Sequence, residues 1–372
     1  MSSSYGDGTR AVRAGLPPAV PGAPFLPGPV FAAPYHLDPD AGPAGADNGY
    51  GRPDNPTRRL LEAAIGDLEG GTALAFASGQ AAVTGVLLSI LRPGDTLVLP
   101  SDGYYPVRGF ATAALEPLGV TVTFAPTRGP HPSFEGVRLV LLETPANPGL
   151  DVCDVAALAE QAHAAGALVA VDNTTATPLG QRPLDLGADI SLASGTKALT
   201  GHSDLLLGYA VTRSPAILEP LRAWRNTTGS VPGPFDAWLA HRSLMTLDLR
   251  LSRQSTNAAA VASALAARDD VHNVRWPGRP EDPSHAVASR QMRRFPGVVS
   301  FDLGSAERVA RFLKASTLVA AATSFGGIHT SADRRAQWGD DTSPGFLRLS
   351  CGIEDPEDLV ADITTALDSA TI

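Results

Sequence analysis

Alternation of short apolar runs with helical patterns constrains the fold of this chain more than any other feature. Helical runs at residues 80–91 and 155–165 lie between apolar runs of strand character. The apolar runs are residues 73–77, 97–99, 120–124, 139–142, 168–171 and 190–193. This order predicts an α/β fold, in which helices cover a mostly parallel sheet and sites form at the carboxyl ends of its strands.

The pattern changes after residue 234. One long helix is predicted over residues 235–267. Further strands are predicted at 298–303, 318–323 and 346–350, with helices around 309–314 and 359–367. We therefore predict a smaller α+β domain over residues 244–372, which follows a main domain over residues 48–243.

Residues 1–47 are predicted to form an extended arm. This stretch contains nine prolines and seven glycines and has almost no periodic apolar pattern, so it cannot pack a core by itself. A disordered tail is the alternative. Four large side chains argue for an arm that contacts another surface: Phe25, Phe31, Tyr35 and Leu37.

Composition excludes several classes of function. The formal net charge of -9 disfavours binding to nucleic acid and to anionic lipid, and only short pairs such as Arg293-Arg294 and Arg334-Arg335 oppose it. The chain has no apolar run of the roughly 18 residues that a membrane span needs, and its start does not resemble a secretory signal. Two cysteines, Cys153 and Cys351, are too few for a disulfide framework or a metal cluster.

From these features of the composition we expect a cytoplasmic protein without a metal.

Lys197 is the strongest candidate for a catalytic residue. It follows Ser194, Gly195 and Thr196, and Asp172 ends the apolar run before them. A lysine amine forms a Schiff base with the aldehyde of pyridoxal phosphate, and a carboxylate keeps the pyridinium nitrogen of that cofactor protonated. Taken alone, a loop lysine is more often a solvated surface group, and an aspartate after a strand is more often a helix cap.

Four linked motifs make coincidence improbable. In chain order they are Asp172-Asn173-Thr174-Thr175, Gly187-Ala188-Asp189-Ile190, Ser194-Gly195-Thr196-Lys197 and Gly201-His202-Ser203-Asp204. Together they resemble the cysteine and methionine metabolism family of pyridoxal phosphate enzymes, which includes cystathionine gamma-lyase. The resemblance implies a fold type I enzyme with a seven-stranded type of sheet, with Lys197 and Asp172 in the roles described above.

The turn Ser78-Gly79-Gln80 is a candidate phosphate site, because it lies between a strand and a helix whose first backbone amides are unpaired. An ordinary turn between a strand and a helix would look the same. The resemblance supports the phosphate role and adds hydroxyl donors from Ser194 and Thr196.

The resemblance also implies a site shared between subunits. Tyr50 and Arg52 match the family residues that reach the phosphate in a neighbouring subunit, and the arm would lie on that neighbour. A homotetramer built from two site-sharing dimers is therefore expected.

Further roles follow from the resemblance. Tyr104 would stack on the cofactor ring and carry a proton to the leaving group, and Asn147 would hydrogen-bond the phenolic oxygen of the cofactor. Arg348, together with Ser324 and Asn147, would hold the substrate carboxylate. A packed tyrosine, a turn at Asn147-Pro148 and a surface ion pair of Arg348 are the alternatives.

Two departures from the family pattern leave the substrate open. Tyr105-Pro106-Val107 replaces the usual Gly-Gly-Thr, and His329 stands where members that act on cystathionine often carry glutamate. The first expectation is gamma-elimination of cystathionine, a small sulfur-containing amino acid. The alternatives are gamma-replacement on an O-acylhomoserine, a methionine gamma-lyase-like or specialised reaction and, remotely, a cofactor-binding scaffold without catalysis.

Overall fold

The larger sheet lies at the centre of the fold. In the residues that the computed structural model describes, 5–40 and 49–370, this sheet has seven strands in the order β1-β7-β6-β5-β4-β2-β3. They are β1 (Thr72–Phe76), β2 (Thr96–Pro100), β3 (Thr121–Ala125), β4 (Leu139–Glu143), β5 (Leu168–Asp172), β6 (Ile190–Ser194) and β7 (Gly208–Thr212). Strands β2 to β6 are parallel, while β7 is antiparallel to both of its neighbours. The predicted α/β fold with a mostly parallel sheet is confirmed.

Helices cover both sheets. Within the described residues they are α1 (Asp7–Arg13), α2 (Pro56–Glu69), α3 (Gly79–Ile90), α4 (Tyr105–Phe110), α5 (Val155–Ala164), α6 (Thr177–Gly180), α7 (Pro215–Thr228), α8 (Pro234–Leu244), α9 (Leu247–Ala266), α10 (His285–Gln291), α11 (Ala306–Ala315) and α12 (Pro356–Ala370). No helix in these residues is both long enough and apolar enough to cross a membrane.

The central strands are apolar on both faces because helices cover each side. All five residues of β4 are buried. Leu139 and Leu141 pack into one apolar cluster, and Val140 and Leu142 pack into another. This burial explains why the strand is a continuous apolar run rather than an alternating one.

A second sheet is formed by the C-terminal part of the chain. Its strands are β8 (His272–Arg275), β9 (Val298–Asp302), β10 (Ala320–Ala321), β11 (Ser331–Arg334) and β12 (Phe346–Ser350), in the order β10-β11-β12-β9-β8. Only the pairing of β10 with β11 is parallel. The predicted strand at 318–323 is reduced to the two residues of β10.

The predicted single helix over residues 235–267 is wrong, because the chain breaks between α8 and α9. Thr246 leaves the helical conformation, with φ -106° and ψ 6°. Arg250 stabilises this break by donating to the Ser243 carbonyl at 2.9 Å. A helical pattern of apolar residues continues across both helices, so the periodicity gave no sign of the break.

Helix α9 packs into both cores. Its first turns place Leu247 and Leu251 in the cluster around Leu61, and its last turns place Val261 and Leu265 in the cluster of the second sheet. The predicted boundary between residues 243 and 244 therefore falls just before a helix that both cores share. The division into domains stays a prediction.

The arm is not extended throughout. Helix α1 contradicts the prediction, and Ala11 and Ala14 are buried in the main core. Arg10 donates to the carbonyls of Asp67 and Leu68 at the end of α2, at 2.8 and 3.0 Å. Small side chains and one capping arginine let this proline-rich stretch dock on its own chain. Residues 1–4 and 41–47 of the predicted arm lie outside the described residues.

Candidate active site

A cavity of ≈ 350 Å³ opens at the carboxyl ends of β4, β5 and β6. This is the edge of a parallel sheet at which ligands usually bind. The predicted site residues that line the cavity are Ser78, Gly79, Gln80, Tyr104, Asn147, Asp172, Ser194, Thr196, Lys197 and Arg348.

Three predicted site residues do not line this cavity. Ser324 lies beside it, since its Oγ accepts a hydrogen bond from Lys197 Nζ at 2.7 Å. Tyr50 is half exposed, and the guanidinium carbon of Arg52 lies 5.8 Å from the centre of its ring. Arg52 also donates to the Asn226 carbonyl. Tyr50 and Arg52 therefore contact each other and their own chain outside its cavity.

Lys197 lies in a turn directly after β6. Its ammonium group is 5.6 Å from the centre of the Phe325 ring. Burial, together with the positive charges of Arg348 and Arg335, lowers the pKa of Lys197 to about 8. The amine is thus far more often neutral than that of a solvated lysine, as a nucleophile or base requires.

Arg250 holds the turn that carries Lys197. This buried side chain donates to the carbonyls of Ala198 and Leu199, at 2.7 and 3.0 Å. Gly201 is needed here, because a Cβ at this position would lie 1.9 Å from Nη1 of Arg250.

Asp172, which is half-buried, and buried Glu143 are two neighbouring carboxyl groups that line the cavity. Asp172 accepts hydrogen bonds from the backbone and the hydroxyl of Thr174, which oppose the rise in its pKa that burial causes. Burial and the charge of Asp172 raise the pKa of Glu143 to about 8. The hydrogen bonds from Thr174 thus favour the ionised form of Asp172.

The start of α3 forms the polar end of the cavity. The Ser78 hydroxyl caps the helix by accepting from Ala81 N at 3.1 Å, while the amides of Gly79 and Gln80 belong to the first turn, which has no intrahelical acceptors. Gly79 permits a close approach to β6, since a Cβ here would lie 2.5 Å from the Ser194 Cβ. Ser78 and Ser194 are thereby brought to one place.

The Thr196 hydroxyl, which we expected to donate to the phosphate, is bonded to the backbone of Leu207 instead. It donates to the Leu207 carbonyl at 3.2 Å and accepts from Leu207 N at 2.8 Å. The hydroxyl proton therefore holds the turn. The hydroxyl can donate to a phosphate only if its bond to the Leu207 carbonyl opens.

Arg348 lies at the opposite side of the cavity from a position on β12. It is 3 % exposed, donates to Asn147 Oδ1 at 2.5 Å and to the Ser324 carbonyl at 2.7 Å, and lies over the Phe325 ring. Its Nε has no partner among the described residues. Burial and the charge of Arg335 lower its pKa to about 10, so it stays a cation near neutral pH. The alternative of a surface ion pair is excluded by this burial.

Tyr104 stands at the cavity edge just before α4. Its backbone N–H donates to Glu143 Oε2 at 2.7 Å, and its ring meets that of Tyr105 edge-on. Burial and the neighbouring Tyr105 raise the pKa of the Tyr104 phenol, which keeps its proton available for donation.

Among the lining residues to which sequence reasoning gave no role in the site are Glu143, Arg335 and Trp338. Glu143 holds both Tyr104 and Asn147 by their backbone N–H groups, at 2.7 Å each. Its position after a buried strand is a signal that could have identified it. Arg335 was noticed only as one member of a basic pair, and nothing in the pattern singled out Trp338.

His329 is exposed and does not line the cavity. The replacement of glutamate at this position therefore leaves the lining of this chain's cavity unchanged. Among the described residues, no group of three or more His, Cys, Asp or Glu side chains is placed to hold a metal ion.

A model of the family described as Cys/Met metabolism PLP-dependent enzyme matches residues 34–368. The chain belongs to this family. A Streptomyces coelicolor protein that is provisionally named a cystathionine gamma-lyase is 56% identical over 100% of this chain and 95% of its own length. The family, fold type I, the pyridoxal phosphate cofactor and the enzyme class are thereby confirmed.

Relatives in this family have names that denote different reactions. The cystathionine gamma-synthase of Mycobacterium bovis is 39% identical over 97% of each chain. The crystal structure of CalE6 from Micromonospora echinospora, described as a methionine gamma lyase, superimposes with a TM-score of 0.90 at 39% identity and covers 98% of this chain and 100% of that one.

The residues of the cavity fit pyridoxal phosphate. The amides at the start of α3 and the Ser78 and Ser194 hydroxyls suit a phosphate, and the carboxylate of Asp172 suits a ring nitrogen. Two buried polar atoms without partners among the described residues, Gln80 Oε1 and Arg348 Nε, belong to residues that line the same cavity. The bound cofactor supplies an acceptor for electrons from the α carbon of the substrate.

Proposed function

We propose that the protein catalyses gamma-elimination of L-cystathionine, with water, to cysteine, 2-oxobutanoate and ammonia. The observation that carries this proposal is the 56% identity, over the whole chain, to a relative provisionally named for that activity. The cavity supports it, because it combines a half-buried lysine of lowered pKa with a buried arginine, Arg348, whose Nε has no partner among the described residues.

In this proposal, four groups hold the cofactor. The start of α3 with Ser78, Gly79 and Gln80 binds the phosphate together with Ser194 and with Thr196, whose hydroxyl exchanges its bond to the Leu207 carbonyl for one to the phosphate. Asp172 pairs with the ring nitrogen, and Asn147 donates from its amide to the phenolic oxygen while its carbonyl oxygen accepts from Arg348. Lys197 is the attachment point.

The remaining residues handle the substrate. Arg348 binds the α-carboxylate through its guanidinium, which lines the cavity, and Ser324 supports the same end through its contact with Lys197. The neutral Lys197 amine removes the α proton. The Tyr104 phenol, whose pKa is raised, gives its proton to the departing sulfur.

We further infer a site shared between subunits in a homotetramer. Tyr50 and Arg52 lie outside the cavity of their own chain, as residues that serve a neighbour must. Phe25 and Phe31 on the arm are 88% and 67% exposed, which suits a surface that a second copy covers. The buried free thiols of Cys153 and Cys351 agree with a cytoplasmic protein.

Gamma-replacement on an O-acylhomoserine is the second candidate, because a gamma-synthase is 39% identical over 97% of this chain. Purified holoprotein is assayed with L-cystathionine alone, and then with O-succinyl- or O-acetylhomoserine plus cysteine. Release of 2-oxobutanoate from cystathionine alone is expected. Turnover only with the acylhomoserine and cysteine together would reject the lyase, and 2-oxobutanoate only from methionine would favour a methionine gamma-lyase.

A further inference from the structure

Arg335 is a second arginine on the substrate side of the cavity. It follows β11 in a short helical turn, is 3 % exposed and lines the same cavity as Lys197 and Tyr104. Its charge acts on both of those residues and on Arg348. The guanidinium therefore lies close to the space that a substrate occupies.

Two buried carboxylates hold this guanidinium in a fixed orientation. Nε donates to Asp340 Oδ2 and Nη1 donates to Asp333 Oδ2, both at 2.8 Å, and Nη2 forms an ion pair with Asp340 Oδ2 at 2.7 Å. Among the described residues, these contacts engage at most three of its five N–H groups. One N–H on each terminal nitrogen is left for a ligand.

Asp333 also joins the two arginines. The oxygen that accepts from Arg335 lies 3.8 Å from Nη2 of Arg348, and its other oxygen accepts from the indole of Trp338, a further wall of the cavity, at 2.9 Å. Arg335, Arg348 and Trp338 are thus held as one rigid unit on the substrate side.

The charges of this unit do not cancel. Arg108 lies 3.7 Å from Asp340, so three arginines share the two carboxylates of Asp333 and Asp340. Lys197 adds a further positive charge when it is protonated. A substrate carboxylate on Arg348 balances the net charge of +1 that the three arginines and two carboxylates carry. A second anion is then favoured by the N–H groups that Arg335 has left and, when Lys197 is protonated, by the charge of that amine.

We propose that Arg335 binds the second, distal carboxylate of a dicarboxylic amino-acid substrate and so selects substrates of that class. This rests on the proposed function for the role of Arg348, and it names the substrate class of the same site. L-Cystathionine and O-succinylhomoserine both carry such a carboxylate, whereas methionine and O-acetylhomoserine do not.

The alternative is that Arg335 only neutralises two buried aspartates. If Arg335 had only this structural role, we would expect its N–H groups to be paired within the protein and its side chain to lie away from the cavity. Ligand preference separates the two roles, because a structural role affects all ligands alike, whereas a carboxylate subsite affects only those that carry the second charge.

The test compares two ligands that cannot be cleaved. L-2-Aminosuberate and L-2-aminooctanoate have the same chain length and end in a carboxylate and a methyl group, respectively. Their Kd values are measured by calorimetry on the holoprotein. We expect wild type to prefer aminosuberate, and Arg335→Gln to reduce that preference about 10- to 100-fold, as expected for the loss of a charge-assisted hydrogen bond.

Arg334→Gln is the matched control, because it removes the same charge from the adjacent residue, which does not line the cavity. It should keep the wild-type preference. If wild type shows no preference, or if Arg335→Gln keeps it, the proposal is overturned.

Two further measures keep the result interpretable. Should Arg335→Gln fail to fold because Asp333 and Asp340 lose their partner, the double variant with Asp340→Asn restores the charge balance and is expected to give the same loss of preference. The ligands have no leaving group, so a failure of the lyase assay leaves this binding test intact.

Discussion

At the scale of single residues, burial and neighbouring charge determine the chemistry of Lys197. The amine lies among cations, with Arg348 and Arg335 both acting on it, and its ammonium form is destabilised. The hydrogen bond to Ser324 and the nearby Phe325 ring fix its direction. Reactivity and orientation thus come from residues far away in the sequence.

The lowered pKa predicts the pH dependence of cofactor uptake. Only the neutral amine attacks the aldehyde, so the rate of attack follows the neutral fraction of Lys197. This fraction increases as pH rises through the pKa of about 8, well below the ordinary value of 10.5. The rate at which apoprotein takes up pyridoxal phosphate should rise with pH and level off above that value. Stopped-flow absorbance checks this, and a midpoint near 10.5 would show that the amine is not perturbed.

At the scale of elements, α9 and the Lys197 turn depend on each other through Arg250. Its guanidinium bonds three backbone carbonyls, of Ala198, Leu199 and Ser243. The side chain is buried, and its donors satisfy acceptors that water cannot reach.

We expect Arg250→Met to lower the free energy of unfolding by about 3 kcal/mol or more, because buried carbonyls without partners cost roughly 1–3 kcal/mol each. It should also weaken the binding of pyridoxal phosphate, since the turn with Lys197 loosens. Arg253→Met, three residues further along the same helix and 43% exposed, should stay within about 0.5 kcal/mol of wild type. Urea unfolding measures both variants, and equal stabilities would contradict this role of Arg250.

The sequence predicted six strands of the larger sheet because each is a short apolar run between turns. It missed β7 (Gly208–Thr212), whose order in the sheet and antiparallel direction follow from contacts with β1 and β6 rather than from its own composition. It also missed β8 and β11, whose polar residues, such as His272 and Asp333, do not form an apolar run.

For the site, motifs that are continuous in the chain were easier to predict than distant partners. Ser78-Gly79-Gln80 and Ser194-Gly195-Thr196-Lys197 do line one cavity. The cluster of Arg335 with Asp333 and Asp340 was not predicted, because only the fold shows that the arginine faces inward and that its carboxylates are buried. Roles of individual residues toward the cofactor stay predictions.

At the scale of the whole molecule, a shared site predicts that two inactive variants complement each other. In mixed dimers of Lys197→Ala and Arg52→Ala subunits, one of the two sites receives both wild-type residues. Random pairing should restore about a quarter of wild-type activity. Co-expression with different tags checks this: the unfractionated mixture should show that quarter, and mixed dimers isolated through both tags should show about half of wild-type activity. No recovery would place Arg52 in the site of its own subunit.

The central claim is that Lys197 holds the cofactor, and covalent trapping tests it most directly. The sequence contains only two lysines, Lys197 and the exposed Lys314. Holoprotein is reduced with borohydride, digested and mapped by mass spectrometry. We predict a pyridoxyl group on the peptide with Lys197, retained in Lys314→Ala and lost in Lys197→Ala. A label on Lys314 alone, or none on either lysine, would contradict the account.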